Sequence, residues 1–200
     1  GARRPAPGPR FIGDVMTAHS DPPDELLVQR IKRQDREAFA ELYQRYNRPL
    51  LAYLRRLVGD PAVAEELFQD LFLTVWKDAG RFRGRASVRT WLYRIAHNRA
   101  VSWLRKKRPE VWDEFPSMVG DDPAPEAEAM NAAQREQIMV ALDQLSPDHR
   151  AVIELTFYHQ MRYREIAQVM GCPVGTVKSR MNYARRRLAA ILPLVGVKGV

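Results

Sequence analysis

Between Arg81 and Arg108 the chain carries ten Lys or Arg residues and no Asp or Glu. Trp91, Tyr93 and Trp103 are set among them, in the stretch VRTWLYRIAHNRAVSWLRKKR. Like charges held close on one segment repel, so this run gains a fold nothing by itself and implies a polyanionic partner. Cations that track phosphates, beside flat rings that receive unstacked bases, are what single-stranded nucleic acid requires. The preceding loop, FRGRAS, carries a glycine and could hold an extruded base. If Trp91, Leu92, Ile95, Ala96 and Leu104 build a core, then Arg89, Arg94, Asn98, Arg99 and Arg105 have sides facing solvent. Taken one at a time, the three aromatic rings also fit core positions at helical spacing.

A second basic segment, RYREIAQVMGCPVGTVKSRMNYARRRLAAIL, has a different chemistry. Ile166, Ala167, Val169 and Met170 give a short helix one apolar side, Gly171 can take a left-handed terminal position, and Pro173 can open the next helix. Val177, Met181, Ala184 and Leu188 then form one buried stripe. Thr176, Lys178, Ser179, Arg180, Asn182, Tyr183, Arg185 and Arg186 are left facing outward. Two short helices around a tight glycine turn, the second polar and basic, describe a helix-turn-helix that enters duplex DNA. Thr, Lys, Ser and Asn suit base edges, and the Arg cluster suits phosphates.

Catalysis is not expected. His19, His97, His149 and His159 stand in unrelated segments, and no His-Asp-Glu metal set, phosphate-cradling glycine loop or Cys/His nucleophile pair is recognisable. We therefore expect no catalytic residue, no metal and no cofactor. The lone Cys172 precludes an intramolecular disulfide and is expected to be inert packing.

Positioning these groups falls to helices. The chain has 200 residues, a net charge of +8 and 46% apolar residues, which suits a soluble polyanion binder with a core. No apolar run approaches the roughly 18 residues of a membrane span, so membrane insertion is not expected. Residues 1–23 read as a disordered tail, with Met16 a candidate start. Apolar residues recur at three-and-four spacing from Leu26 to Tyr46, and Pro49 is expected to break that helix or open the next. Gly59-Asp60-Pro61 stops one helix and caps another, whose apolar face runs from Ala64 to Val75. Residues 60–78 hold five acids against Lys77. Residues 109–133 are Pro-rich and acidic and read as a flexible linker. A second helical segment starts near Gln134, with Ser146-Pro147 opening one of its helices. Strand alternation is absent, so the fold class is all-α.

The segments DREAFAELYQRY, AEELFQDLFLTVWK, FRGRASVRTWLYRIAHNRAVSWLRKKR and LSPDHRAVIELTFYHQMRYREIAQVMGCPVGTVKSRMNYARRRL occur in one order. In these the chain resembles the extracytoplasmic-function (ECF) RNA polymerase sigma factors of the sigma-70 superfamily. The resemblance implies a sigma-2-like bundle over 24–108, a linker over 109–133 and a sigma-4-like helix-turn-helix domain over 134–192. It implies a cytoplasmic, non-enzymatic promoter reader, with core RNA polymerase (β′ clamp helices and β flap), promoter DNA and an anti-sigma factor as partners. Arg85, Ala86, Ser87 and Asn98 are then expected to line a pocket for one flipped −10 base, with Arg89, Arg94 and Arg99 on flanking phosphates. The outward residues of the helix-turn-helix would read −35 duplex, and Glu66, Gln69, Asp70 and Leu73 would dock polymerase. Read without the resemblance, the second segment alone leaves open a stand-alone duplex-binding regulator.

Overall fold

Side-chain caps decide where the helices begin. In the computed structural model, which describes residues 21–107 and 140–192, α1 (Asp24–Ile31) is followed by a tight turn to Asp35. The Asp35 carboxylate accepts from the backbone N–H groups of Glu37 and Ala38 and starts α2 (Arg36–Val58). Gly59 ends α2 in the left-handed region, at φ 73°, and Asp60 then caps α3 (Pro61–Asp78) through Ala62 and Val63. A single 3₁₀ turn, Ala79–Arg81, leads through the FRGRAS loop to α4 (Val88–Lys107). There the Ser87 hydroxyl accepts from the Thr90 N–H at 3.2 Å.

The second half opens with helical residues 140–143, and Ser146 caps α5 (Pro147–Ile153) by accepting from the His149 N–H. The helix widens into a π turn over Glu154–Tyr158. Next, α6 (Tyr163–Met170) ends on Gly171, left-handed at φ 65° as the motif requires, and α7 (Val174–Ile191) follows. Among the described residues there is no strand, and no helix is long and apolar enough to cross a membrane.

Two local expectations need correction. Pro49 neither breaks α2 nor starts a new helix, because α2 continues through it. Tyr46 and Leu50, buried on either side, anchor this stretch to the core, and tertiary packing overrides the local cost of a proline. Pro173 is the cap of α7 and not, as expected, its first helical residue, which is Val174. The expected tail (1–23), save its last residues, and the expected linker (109–133) lie outside the described residues.

In the first half α1, α3 and α4 pack around α2, and in the second α5 and α6 pack on α7. The halves do not stand apart: α6 and α5 both pack against α4, and the buried apolar residues of the two halves form one continuous cluster. Leu54 lies fully inside this cluster. Leu54→Ala should cost about 2–5 kcal/mol by emptying core volume, whereas Asp60→Ala, which removes only a cap, should cost about 1 kcal/mol. Urea unfolding of both variants checks this ranking, and equal losses would contradict it.

Candidate nucleic-acid interface

Helix α4 presents its outer ridge as the spacing predicts: Arg94, Asn98 and Arg105 are exposed. The remaining residues expected at a flipped base are distributed differently. Ser87 is committed to capping the helix, and from there to Asn98 the axis advances ~16 Å at about 1.5 Å per residue. Ser87 and Asn98 therefore stand apart along α4, while Arg85 and Ala86 belong to the loop before it. Two of the expected phosphate contacts are engaged within the protein. Arg89 donates to the backbone carbonyl of His159, and Arg99 lies 2.9 Å from the Asp70 carboxylate and 2.5 Å from the Thr74 hydroxyl. The rings serve packing. Tyr93 is buried, and Trp91 is half-buried with its ring centre 5.2 Å from that of Phe82.

On α3, Glu66, Gln69, Asp70 and Leu73 recur at three-and-four spacing, with Glu66, Gln69 and Leu73 exposed and Asp70 half-buried. Leu73 is 54% exposed, a large apolar side chain among polar neighbours. Asp70 joins this face to α4 through Arg99. A solvated acidic face needs no leucine, so Leu73 is the informative residue here.

In the helix-turn-helix, Val177, Met181 and Ala184 are buried and Leu188 packs at the edge of the core. Thr176, Lys178, Asn182 and Arg185 are half-buried and Arg186 is exposed. Ser179, Arg180 and Tyr183 are engaged within the protein. The Ser179 hydroxyl donates to the Thr176 carbonyl at 3.0 Å, and Tyr183 packs its ring on His149 with centres 4.4 Å apart. Arg180 forms an ion pair with Asp148 at 2.6 Å. Burial pushes the half-buried Cys172 thiol above its ordinary range, which disfavours the reactive thiolate.

Where the halves meet lies a seam that spacing did not reveal. Glu154 is 0% exposed and pairs with Arg56 at the end of α2. Burial raises its carboxyl above the ordinary range, with the Arg56 guanidinium opposing. Arg150 reaches the last turn of α2, donating to the Arg56 and Leu57 carbonyls at 3.2 and 3.5 Å. These are helix-end acceptors without partners in their own helix. The Tyr93 hydroxyl lies 2.8 Å from His159 Nδ1, and Tyr53 lies 3.0 Å from His97 Nδ1. Histidines scattered along the sequence thus gather in space, His97 and His159 in the seam and His149 behind Asp148. One signal was available: Glu154 interrupts the apolar run AVIELTF, and an acid there needs a cation.

Burial pushes the imidazoles of His97, His149 and His159 each down to about 4. Asp148 opposes this at His97 and His149; Arg180 adds to it at both, and Arg56 and Arg89 at His159. His97 Nε2 lies 3.9 Å from Asp148, but a neutral imidazole makes no ion pair, so the Asp148 charge is matched by Arg180. No group of three or more His, Cys, Asp or Glu residues suited to a metal occurs among the described residues.

Comparison with known proteins gives a consistent picture. The family model for sigma-70 region 2 matches residues 42–110, and that for sigma-70 region 4 matches residues 135–188. The ECF RNA polymerase sigma factor RpoE of Cereibacter sphaeroides is 38% identical over 179 residues, covering 86% of this chain and 97% of the relative. The RNA polymerase sigma-H factor of Pseudomonas aeruginosa is 34% identical over 184 residues, covering 86% and 95%. CnrH, solved in complex with the cytosolic domain of CnrY, aligns with a TM-score of 0.66 at 25% identity, covering 86% of this chain and 97% of that one. RpoE of Bartonella quintana, solved with the anti-sigma factor NepR, aligns with a TM-score of 0.58 at 27% identity, covering 77% and 98%.

The buried histidines set the response to acid. An imidazole whose pKa falls from about 6.5 in the unfolded chain to about 4 in the fold is most stabilising, relative to its protonated form, above pH 6.5. That contribution is lost as pH falls through the window towards 4, because the unfolded chain binds more protons. Glu154, shifted upward, offsets part of the loss. The thermal midpoint should therefore fall between pH 6.5 and 4, and His149→Gln should flatten the fall. A midpoint constant over that window would refute this reading of the imidazoles.

Proposed function

Because this chain belongs to the extracytoplasmic-function RNA polymerase sigma factors, we propose that it reads promoters through two surfaces while a third holds the polymerase. It binds core RNA polymerase and directs it to promoter DNA for initiation. The bond-making chemistry belongs to the polymerase, so this chain is not itself an enzyme, and it acts in the cytoplasm, where promoter and polymerase are. The observation that carries the reading is the pairing on one chain of two unlike nucleic-acid surfaces: a helix-turn-helix, and a basic helix backed by the acidic, leucine-bearing face of α3. A stand-alone duplex regulator has use for the first and none for the others.

In this proposal Lys178 and Asn182 face base edges of the −35 duplex while Arg185 and Arg186 neutralise phosphates. The ridge of Arg94 and Asn98 meets the opened −10 strand at one point, and Arg85, Ala86 and Ser87 meet it at another. Glu66, Gln69 and Leu73 contact the β′ clamp helices, with Asp70 held in register by Arg99. Residues 109–133 tether a first domain (24–108) to a second (134–192). One structural neighbour is bound to an anti-sigma factor, and this chain is proposed to answer to an anti-sigma factor of its own.

Transcription by core polymerase plus this protein on a promoter library tests the whole reading; no selective initiation would end it. Lys178→Ala or Asn182→Ala should cost about 1–3 kcal/mol on the preferred promoter and relax preference at one base pair. Arg186→Ala should instead weaken all sequences alike and flatten the salt dependence. The amide of Asn98 can donate and accept, so it can read a base edge. Asn98→Ala should reduce permanganate reactivity in the −10 region while polymerase binding persists. Unchanged opening and base preference would make Asn98 a surface residue only.

A further inference from the structure

The loop between the 3₁₀ turn and α4 is held at both ends. At its far end the Ser87 carbonyl accepts from the Trp91 N–H at 3.0 Å, and the Ser87 hydroxyl accepts from the Thr90 N–H. At its near end the Phe82 ring is buried and packs on Trp91. The Phe82 carbonyl accepts from the ammonium of Lys32, which lies 50 positions back in the sequence, at 3.1 Å. Between these ends Arg83, Gly84 and Arg85 are exposed. Gly84 turns the chain in the left-handed region, at φ 68°. A Cβ there would meet nothing within 4 Å among the described residues, so the glycine serves the turn and not a close approach.

We infer that Lys32 is a positioning residue for −10 selection: it aims the loop that carries Arg85, Ala86 and Ser87, and does not itself touch DNA. This rests on the −10 role proposed above for that loop. The core has little need of the bond, since the Phe82 ring is already buried against Trp91. What the bond fixes is direction. The Phe82 carbonyl and the Arg83 N–H belong to one planar peptide unit, so holding the oxygen sets the plane from which the chain departs towards Arg85. The ammonium makes the bond charge-assisted, roughly twice as strong as a neutral one. Its own footing is rigid. Lys32 ends α1 beside the fully buried Ile31. The turn that follows passes through Gln34 at φ 64° to Asp35, whose carboxylate accepts from Arg30 at 2.8 Å as well as from Glu37 and Ala38. Reading a base needs groups placed to within about 0.5 Å. Surface loops are mobile by default, and Arg83 and Arg85 repel each other. Rooting the loop on α1 narrows what it samples, so less ordering is left to be done on binding.

Promoter libraries randomised over the −10 element, transcribed by core RNA polymerase with the full-length protein, test this role. Lys32→Met keeps the aliphatic stem and removes the donor. It should flatten base preference at one −10 position about fivefold or more, while −35 preference, polymerase affinity and salt dependence stay at parental values. Lys32→Arg, which retains a charged donor, should restore most of the preference. Amide hydrogen exchange on the free chain gives a readout apart from transcription: residues 83–87 should exchange faster in Lys32→Met, and α4 should not. Should Lys32→Met lose its helical circular dichroism, Lys32→Gln, with a shorter and neutral donor, should give a smaller change in the same direction. An equal loss of activity on every −10 sequence would make Lys32 merely structural, and a flattened salt dependence would make it a phosphate contact. Either result overturns the positioning role, as does loop exchange identical to the parent's. Arg85→Ala separates this role from the reading it rests on. A preference moved by Arg85→Ala but not by Lys32→Met would sink the role of Lys32 alone. A preference moved by neither, or a parent that initiates selectively from no promoter, would sink the loop's −10 role and that of Lys32 with it.

Discussion

A carboxylate removed from water must be matched by a cation, and Glu154 is matched by one on the other half of the molecule. Breaking a buried pair of this kind by deleting one partner costs about 3–5 kcal/mol, because the survivor is stranded. The relative placement of the halves follows from that requirement. With Glu154 seated against Arg56, Arg150 reaches the end of α2 and supplies donors to carbonyls that the helix cannot satisfy itself. His159 then sits over Tyr53 and Tyr93, its ring centre 5.6 and 4.8 Å from theirs.

The arrangement places two demands on the same residues. An arginine suits phosphate because its fork of donors is always charged, and for the same reason it suits a helix end or a buried carboxylate. Arg89, Arg99 and Arg180 answer internal partners here. Arg94, Arg105 and Arg186 remain exposed. Exposed guanidiniums can begin an encounter with DNA at long range, while the paired ones can join only after a partner has been displaced.

Local structure was legible in the sequence where a single residue sufficed to specify it. Asp60 with Pro61, Ser146 with Pro147, and Gly171 each mark an end through short-range geometry, and all three behave as their types predict. Pro49 misleads because its cost is local and what overrides it, the burial of Tyr46 and Leu50, is not. The seam was least legible. Arg56 and Glu154 are 98 positions apart, and an apolar run broken by one acid announces that a cation is needed without saying which.

Helix α4 shows why composition alone was hard to read there. It does not have two faces but three. Val88, Leu92, Ala96 and Ala100 enter the core; Arg89, Tyr93 and His97 form the neighbouring stripe that meets the second half; Arg94, Asn98 and Arg105 take the solvent. A helix asked only to pack and to face water would separate apolar from polar residues into two sectors. Here a polar sector lies between them, where α4 meets the second half. Leucines in that sector would make the contact with α6 as permanent as the core itself. Tyr, His and Arg let it form through hydrogen bonds whose net stabilisation is only about 0.5–1.5 kcal/mol each.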